Sequence, residues 1–120
     1  MVVELYKPKI LITPQAFETL GNEIEKILGE KFRVQTTNGQ LSNKAETIKI
    51  LKDYDGCIIG SEKVDEEVLK SCPNIKILSR FGSGYNSIDI NSAKNNKVII
   101  TYVPNENPRA VARHTLGLML

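Results

Sequence analysis

The sequence predicts an α/β fold, a doubly wound parallel sheet of five strands with helices on both faces. Three observations carry this. Short apolar runs recur at residues 9–13, 32–36, 57–60, 76–80 and 98–101, and stretches with helical spacing separate them. The run CIIG is apolar throughout, as a strand covered on both faces must be, and such strands lie in the middle of parallel sheets. Glycine, proline and short polar cap residues punctuate the boundaries between the two patterns. A chain of 120 residues has room for one domain, which buries about two thirds of the surface its unfolded form exposes.

The first run is KILIT, and Thr13 with Pro14 reads as an N-cap followed by proline at the first helical position. Phe17, Leu20, Ile24, Ile27 and Leu28 then recur at helical spacing, a core-facing stripe that stops at Gly29. FRVQT alternates as a half-buried strand does, and NGQLSN is a loop closing on Ser42 or Asn43 as the next cap. Ala45, Ile48, Ile50 and Leu51 mark a helix that ends before Asp55 and Gly56. After CIIG, the residues Asp65, Glu66 and Glu67 crowd a helix start. The positive end of the helix dipole favours carboxylates there, so no metal site is expected of them.

Pro73 and Asn74 precede the fourth strand, KILSR, and the chain then turns on Gly82 and Gly84, which bracket Ser83. Two glycines allow conformations closed to other residues and present bare N–H groups to an anion. Asp89 caps a helix containing Ile90, Ala93 and Lys94 that runs to Asn96, and VIIT is the fifth strand. Right-handed crossovers between parallel strands give the flavodoxin-like order 2-1-3-4-5, whose ligands bind at the strands' carboxyl ends. The candidates at that edge are Thr13, Ser61, the loop from Phe81 to Gly84, and the turn from Tyr102 to Asn107.

A last helix opens with Asn107 as cap and Pro108 at its first position. Val111, Leu116, Leu118, Met119 and Leu120 supply much of its apolar surface, which implies a partner surface and predicts self-association through residues 110–120.

Composition narrows the function classes. The net charge of +2 comes from 16 basic and 14 acidic residues spread along the chain, which gives little support to nucleic-acid binding. No apolar run approaches the roughly 18–20 residues needed to span a bilayer. The start MVVELYKPK lacks the layout of a signal peptide, so the expected location is cytoplasmic. Cys57 and Cys72 have neither metal-ligand nor C-x-x-C spacing and read as reduced thiols, Cys57 being a small core residue.

A strand, a glycine turn and a helix suggest a dinucleotide fingerprint, but the third glycine of G-x-G-x-x-G falls at Ser87. No acidic residue ends the next strand either, since Glu106 follows Pro104 in a loop. The loop is therefore not expected to hold a dinucleotide by itself, and a tight turn that needs glycine is the plainer reading.

The string RFGSGYNSIDINSAKNNKVIITYVPNENPRAVARHTLGLML resembles the end of the first domain of the D-isomer-specific 2-hydroxyacid dehydrogenases, most of all the D-3-phosphoglycerate dehydrogenase branch. The matching residues are Gly82, Gly84, Ile88, Asp89, Ala93, Lys94, Thr101, Pro104, Asn107, Ala110, Val111, Ala112, His114 and Thr115, in order and without gaps. Upstream, YDGCIIGSEKVDEEVLKSCPNIKILSRFG extends the likeness over roughly the last two thirds of the chain.

The resemblance implies a substrate-binding domain over residues 1–106. Residues 107–120 would start an interdomain linking helix, and the NAD-binding domain, with the catalytic Arg, Glu and His, would lie outside this chain. Gly82, Ser83 and Gly84 would offer backbone N–H groups to the carboxylate of a 2-hydroxy or 2-keto acid. Ser83 would also touch the NAD cofactor across the cleft, and Asn107 would lie at the cleft edge besides capping its helix. The fragment alone is expected to be inactive in hydride transfer. Arg80 reads equally as an anion ligand or as a strand-end arginine. His114, the single histidine, does not match the family's catalytic histidine. Asn86 and Arg113 stand where the family usually has aspartate and glutamate, and Gly60, Ser61 and Glu62 stand where some phosphoglycerate dehydrogenases carry arginine. The other reading of the chain is a stand-alone flavodoxin-like binding module without catalysis.

Overall fold

The computed structural model describes residues 7–14, 17, 21–37, 41, 43–81, 86–103 and 116–119. Its elements are β1 (Lys9–Ile12), α1 (Gly21–Leu28), β2 (Arg33–Thr36), α2 (Lys44–Leu51), β3 (Gly56–Ile59), α3 (Glu66–Ser71), β4 (Ile77–Arg80), α4 (Ile90–Asn95) and β5 (Ile99–Tyr102). The strands form one sheet in the order β2-β1-β3-β4-β5, every pairing parallel, which is the flavodoxin-like order that the sequence predicts.

The period of two along each strand sorts side chains to opposite faces. Leu11, Cys57, Ile59 and Leu78 join one core with Leu51, Val68, Leu69 and Ala93 from α2, α3 and α4. Ile10, Ile12 and Ile58 join the other with Phe17 and with Ile24 and Leu28 from α1. All four residues of β3 are buried, as a central strand requires, whereas β2 and β5 are the largely exposed sheet edges.

Gly56 opens β3 where no side chain fits: a Cβ there would lie 2.9 Å from both Ile10 Cδ1 and Ile77 Cγ2. The side chains of Ile10 on β1 and Ile77 on β4 fill the space over this position, which glycine leaves open.

The caps follow the sequence. Asn43, Asp65 and Asp89 have extended backbones, and their side chains accept the N–H groups of Glu46, Val68 and Ser92. Lys44 donates to Asp65 at 2.6 Å and to Glu67 at 3.1 Å, so two of the three crowded acids are held by a cap and a lysine. Helix α4 ends with Lys97 at φ 59, the left-handed region usually reserved for glycine. Val98 N–H reaches back to Ala93 O at 2.8 Å and Lys97 N–H to Lys94 O at 3.1 Å, the paired bonds of a Schellman motif.

The structure refines two expectations. Phe17 N–H bonds Pro14 O at 3.1 Å, and the described helix begins at Gly21, residues 15, 16 and 18–20 lying outside the described residues. Among the described residues of the last helix, part of the apolar surface is covered by this domain itself. Residues 116–119 are helical, Leu116 is buried in the core of Ile10, Ile12 and Phe17, and Met119 packs against that core. Leu118 remains 43% exposed. The expected partner of Leu116 is this domain's own sheet, because helical spacing shows which residues share a face but not which surface covers them. Residues 104–115, including Val111, lie outside the described residues.

Candidate functional site

The carboxyl ends of β1, β3 and β4 meet at one edge, where the backbone of the parallel sheet runs out of partners and side chains take over. Thr13, directly after β1, is buried; its N–H bonds Ile58 O at 3.0 Å and its Oγ1 accepts the Gly60 N–H at 3.3 Å. The same Gly60 N–H reaches Glu62 Oε2 at 2.8 Å, and Glu62 Oε1 accepts Leu41 N–H at 3.4 Å. Glu62 is only 3% exposed, so a carboxyl group is buried at the exit of β3 with both oxygens engaged by backbone amides. Burial, with a smaller contribution from the Glu62 charge, pushes the Cys57 thiol well above its ordinary value. Cys57 and Cys72 are both buried and free.

At the exit of β4, the Phe81 ring meets Phe17 edge-on, with centroids 5.1 Å apart and planes at 68°. One strand register below, Ser79 and Thr101 share a hydroxyl hydrogen bond of 2.6 Å between β4 and β5. Arg80 is half-buried: its Nη1 donates to Phe81 O, and its Nε is buried with no hydrogen-bond partner.

Residues 82–85 lie outside the described residues, but both of their flanks are fixed to the same segment. Phe81 N–H bonds Ile59 O at 2.8 Å on the way out, and Val64 N–H bonds Ser87 O at 2.8 Å on the way back. Val64 and Ile88 form a parallel bridge, closed by Asp89 N–H on Val64 O at 2.9 Å. The flanking residues Phe81 and Ser87 are thus both bonded to residues 59–64, close to the helix-capping Asp89.

Of the predicted site residues, Gly82, Ser83, Gly84 and Asn107 fall outside the described residues, as do the aromatic Tyr85 and the histidine His114. Thr13 is a buried structural ligand of Gly60, Ser61 is exposed beside it, and Tyr102 is 42% exposed on the edge strand. The buried state of Glu62 and the unpartnered hydroxyl of Ser87 were not legible in the sequence. Both are polar residues in loop-like strings, and nothing in their spacing marks them as covered.

Over residues 11–116 the chain matches the family described as D-isomer specific 2-hydroxyacid dehydrogenase, catalytic domain. The chain belongs to this family. It is 34% identical over 79 residues to the D-3-phosphoglycerate dehydrogenase of Archaeoglobus fulgidus, covering 65% of this chain and 15% of that protein. With the glyoxylate reductase of Pyrococcus furiosus it shares 29% identity over 116 residues, 95% of this chain and 33% of that protein. The crystal structure of an NAD+-bound 3-phosphoglycerate dehydrogenase of Entamoeba histolytica superposes with a TM-score of 0.75 at 31% identity, covering 95% of this chain and 38% of that one. This 2-hydroxyacid dehydrogenase domain therefore spans between 15% and 38% of the length of these relatives.

The buried carboxyl at the edge, Glu62, is engaged by Gly60 and Leu41. No G-x-G-x-x-G turn occurs in the 120 residues.

Proposed function

We propose that this chain is the substrate-binding part of an NAD-dependent D-2-hydroxyacid dehydrogenase, an oxidoreductase acting on the CH–OH group of small 2-hydroxy acids. In this reading Gly82, Ser83 and Gly84 turn backbone N–H groups toward the substrate carboxylate, and Asn107 borders the cleft while capping its helix. Ser83 faces the nicotinamide cofactor, which residues outside this chain hold. The observation that carries the reading is the double anchoring of the glycine turn: Phe81 to Ile59 on one flank, Ser87 to Val64 on the other. Flanks bonded to one segment fix where the chain enters and leaves residues 82–85, and positioning of groups is what a substrate domain contributes to catalysis.

The division at residues 106 and 107, between substrate domain and linking helix, belongs to the same proposal. Leu118, at 43% exposure, is the described apolar residue of that helix left for contact with a second domain or a second copy. Among the described residues no helix is long and apolar enough to cross a membrane. A reducing cytoplasm is the compartment that suits two buried free thiols.

Calorimetric titration of the 120-residue chain with glyoxylate, paired with an NADH-oxidation assay, tests the proposal. Binding without turnover is the expected result. Turnover of a 2-keto acid by this chain would overturn the division of labour, and absence of binding would overturn the substrate-binding role.

A further inference from the structure

The amino ends of the strands, opposite the edge where β4 leads into residues 82–85, hold two adjoining clefts. The first, of about 470 Å³, is lined by Lys9, Arg33 and Lys49 together with Ile50, Asp53 and Tyr54. The second, of about 480 Å³, shares Lys9 and Asp53 and continues past Asp55 to Lys52, Asn74 and Lys76. Clefts of this size hold small molecules.

The strand register brings the groups together. Lys9 and Arg33 are partners on parallel strands, so their side chains leave the same sheet face as neighbours, with Gln35 two residues further along β2. Leu11 lies on that face and shares a core with Leu51 of α2. Tyr54 reaches back to β2, where its hydroxyl donates to Gln35 Oε1 at 2.7 Å. Its ring and Ile50 are half-buried against the same core, which sets an aromatic and an aliphatic wall beside the cations. The backbone beneath is tied: Lys9 N–H bonds Asp55 Oδ2, and the Asp55 and Lys76 N–H groups bond Lys9 O and Asp55 O, each at 2.8 Å.

Five cations face two carboxylates across the two clefts, an excess greater than the net +2 of the whole chain. Lys49 and Lys52 stand at the end of α2, where the helix dipole favours cations. Lys9 and Arg33 open strands and Lys76 precedes one, so that dipole does not account for them. The ion pairs of Lys44 with Asp65 and Glu67, and of Lys70 with Glu66, involve none of the five. Like charges gathered this closely repel, and a bound anion relieves the repulsion.

We propose that this amino-edge cleft binds a small molecule that carries a ring and a phosphate group. The ring lies against Tyr54 and Ile50, and the phosphate meets Lys9, Lys49 and the paired donors of Arg33. A doubly charged phosphate answers the excess of cations better than a single carboxylate does. The site lies at the opposite end of the strands from the substrate-binding reading and does not depend on it.

The test is calorimetric titration of the 120-residue chain at low salt with adenosine monophosphate, adenosine and inorganic phosphate. Wild type is compared with Arg33→Gln, Lys49→Gln and Lys70→Gln, all at exposed positions, the last on α3 outside both clefts. Adenosine monophosphate is expected to bind about tenfold tighter than adenosine or phosphate. Arg33→Gln and Lys49→Gln should each weaken it roughly fivefold, with Lys70→Gln unchanged. Adenosine or phosphate binding as tightly as the monophosphate would overturn the proposal. So would the absence of saturable binding, or a loss in Lys70→Gln equal to that in Arg33→Gln, which would mark attraction to net charge alone. None of these results bears on the glyoxylate titration, so the substrate-binding reading stands or falls separately.

Discussion

The amide of Gly60 is shared between Thr13 Oγ1 at 3.3 Å and Glu62 Oε2 at 2.8 Å, so two side chains from different strand exits hold one backbone donor. The second Glu62 oxygen holds Leu41 N–H at 3.4 Å, which ties the segment after β2 to the exit of β3. Removing this carboxyl leaves Leu41 N–H without that partner in a buried setting. Glu62→Ala is expected to lower the unfolding free energy by about 1–3 kcal/mol, and Glu62→Gln by less because it keeps an acceptor. Urea denaturation checks the order of the two. Equal stability of wild type and Glu62→Ala would contradict the role given to this residue.

Gly56 lies between the side chains of Ile10 and Ile77, and a methyl group there would meet both at 2.9 Å. Gly56→Ala should cost about 1–3 kcal/mol as the neighbouring strands or rotamers give way. The paired change Gly56→Ala with Ile10→Val, which removes Ile10 Cδ1, relieves one of the two clashes. It should recover part of the loss, as a double-mutant cycle would show.

Lys97 occupies a left-handed position, φ 59, at the end of α4. The backbone pays a steric penalty there that glycine does not. Lys97 is exposed, so Lys97→Gly removes little packing and should raise stability by up to about 1 kcal/mol. A thermal melt showing a lower midpoint would contradict this account of the cap.

Acid sensitivity follows from two caps. The Lys44 hydrogen bond, followed by the Val68 N–H, holds the Asp65 carboxyl below its ordinary 3.8, and the Ser92 N–H does the same for Asp89. A carboxyl depressed in the folded state contributes stability that is present above pH 3.8 and is lost as pH falls through that value toward the folded one. Asp89 is exposed and Asp65 only half-buried, so salt screens the effect and the loss is small. Lys44, raised above 10.5 by Asp65 and Glu67, adds stability that is present below pH 10.5 and fades above it. Asp65→Asn should flatten the fall in chemical-denaturation midpoint on acidification. A fall of unchanged size would contradict the assignment.

Much of the frame was legible because it is written in local rules. The unbroken apolarity of CIIG placed β3 in the centre, and the short acceptors Asn43, Asp65 and Asp89 marked three helix starts that the structure contains. Strand ends moved by a residue, VIIT becoming Ile99–Tyr102, because pairing with β4 rather than composition decides which residues enter the ladder. The destination of the last helix was not legible. Leu116 and Leu118 look alike in sequence, yet one is buried under the sheet and the other is exposed, since covering depends on a surface distant in the chain. Among the site residues, Gly82, Ser83, Gly84 and Asn107 lie outside the described residues, and only the flanks of the first three can be compared. The buried donors on those flanks were not legible, because an arginine and a serine in a polar string give no sign of burial.

The most direct measurement is an NMR titration of the chain with glyoxylate, following the backbone amides of Gly82, Ser83 and Gly84. The account predicts shifts concentrated on those three amides and on their anchored neighbours Phe81 and Ser87, with the amino-terminal edge around Lys9 and Arg33 unchanged. Shifts spread over the surface, or none at millimolar acid, would contradict it.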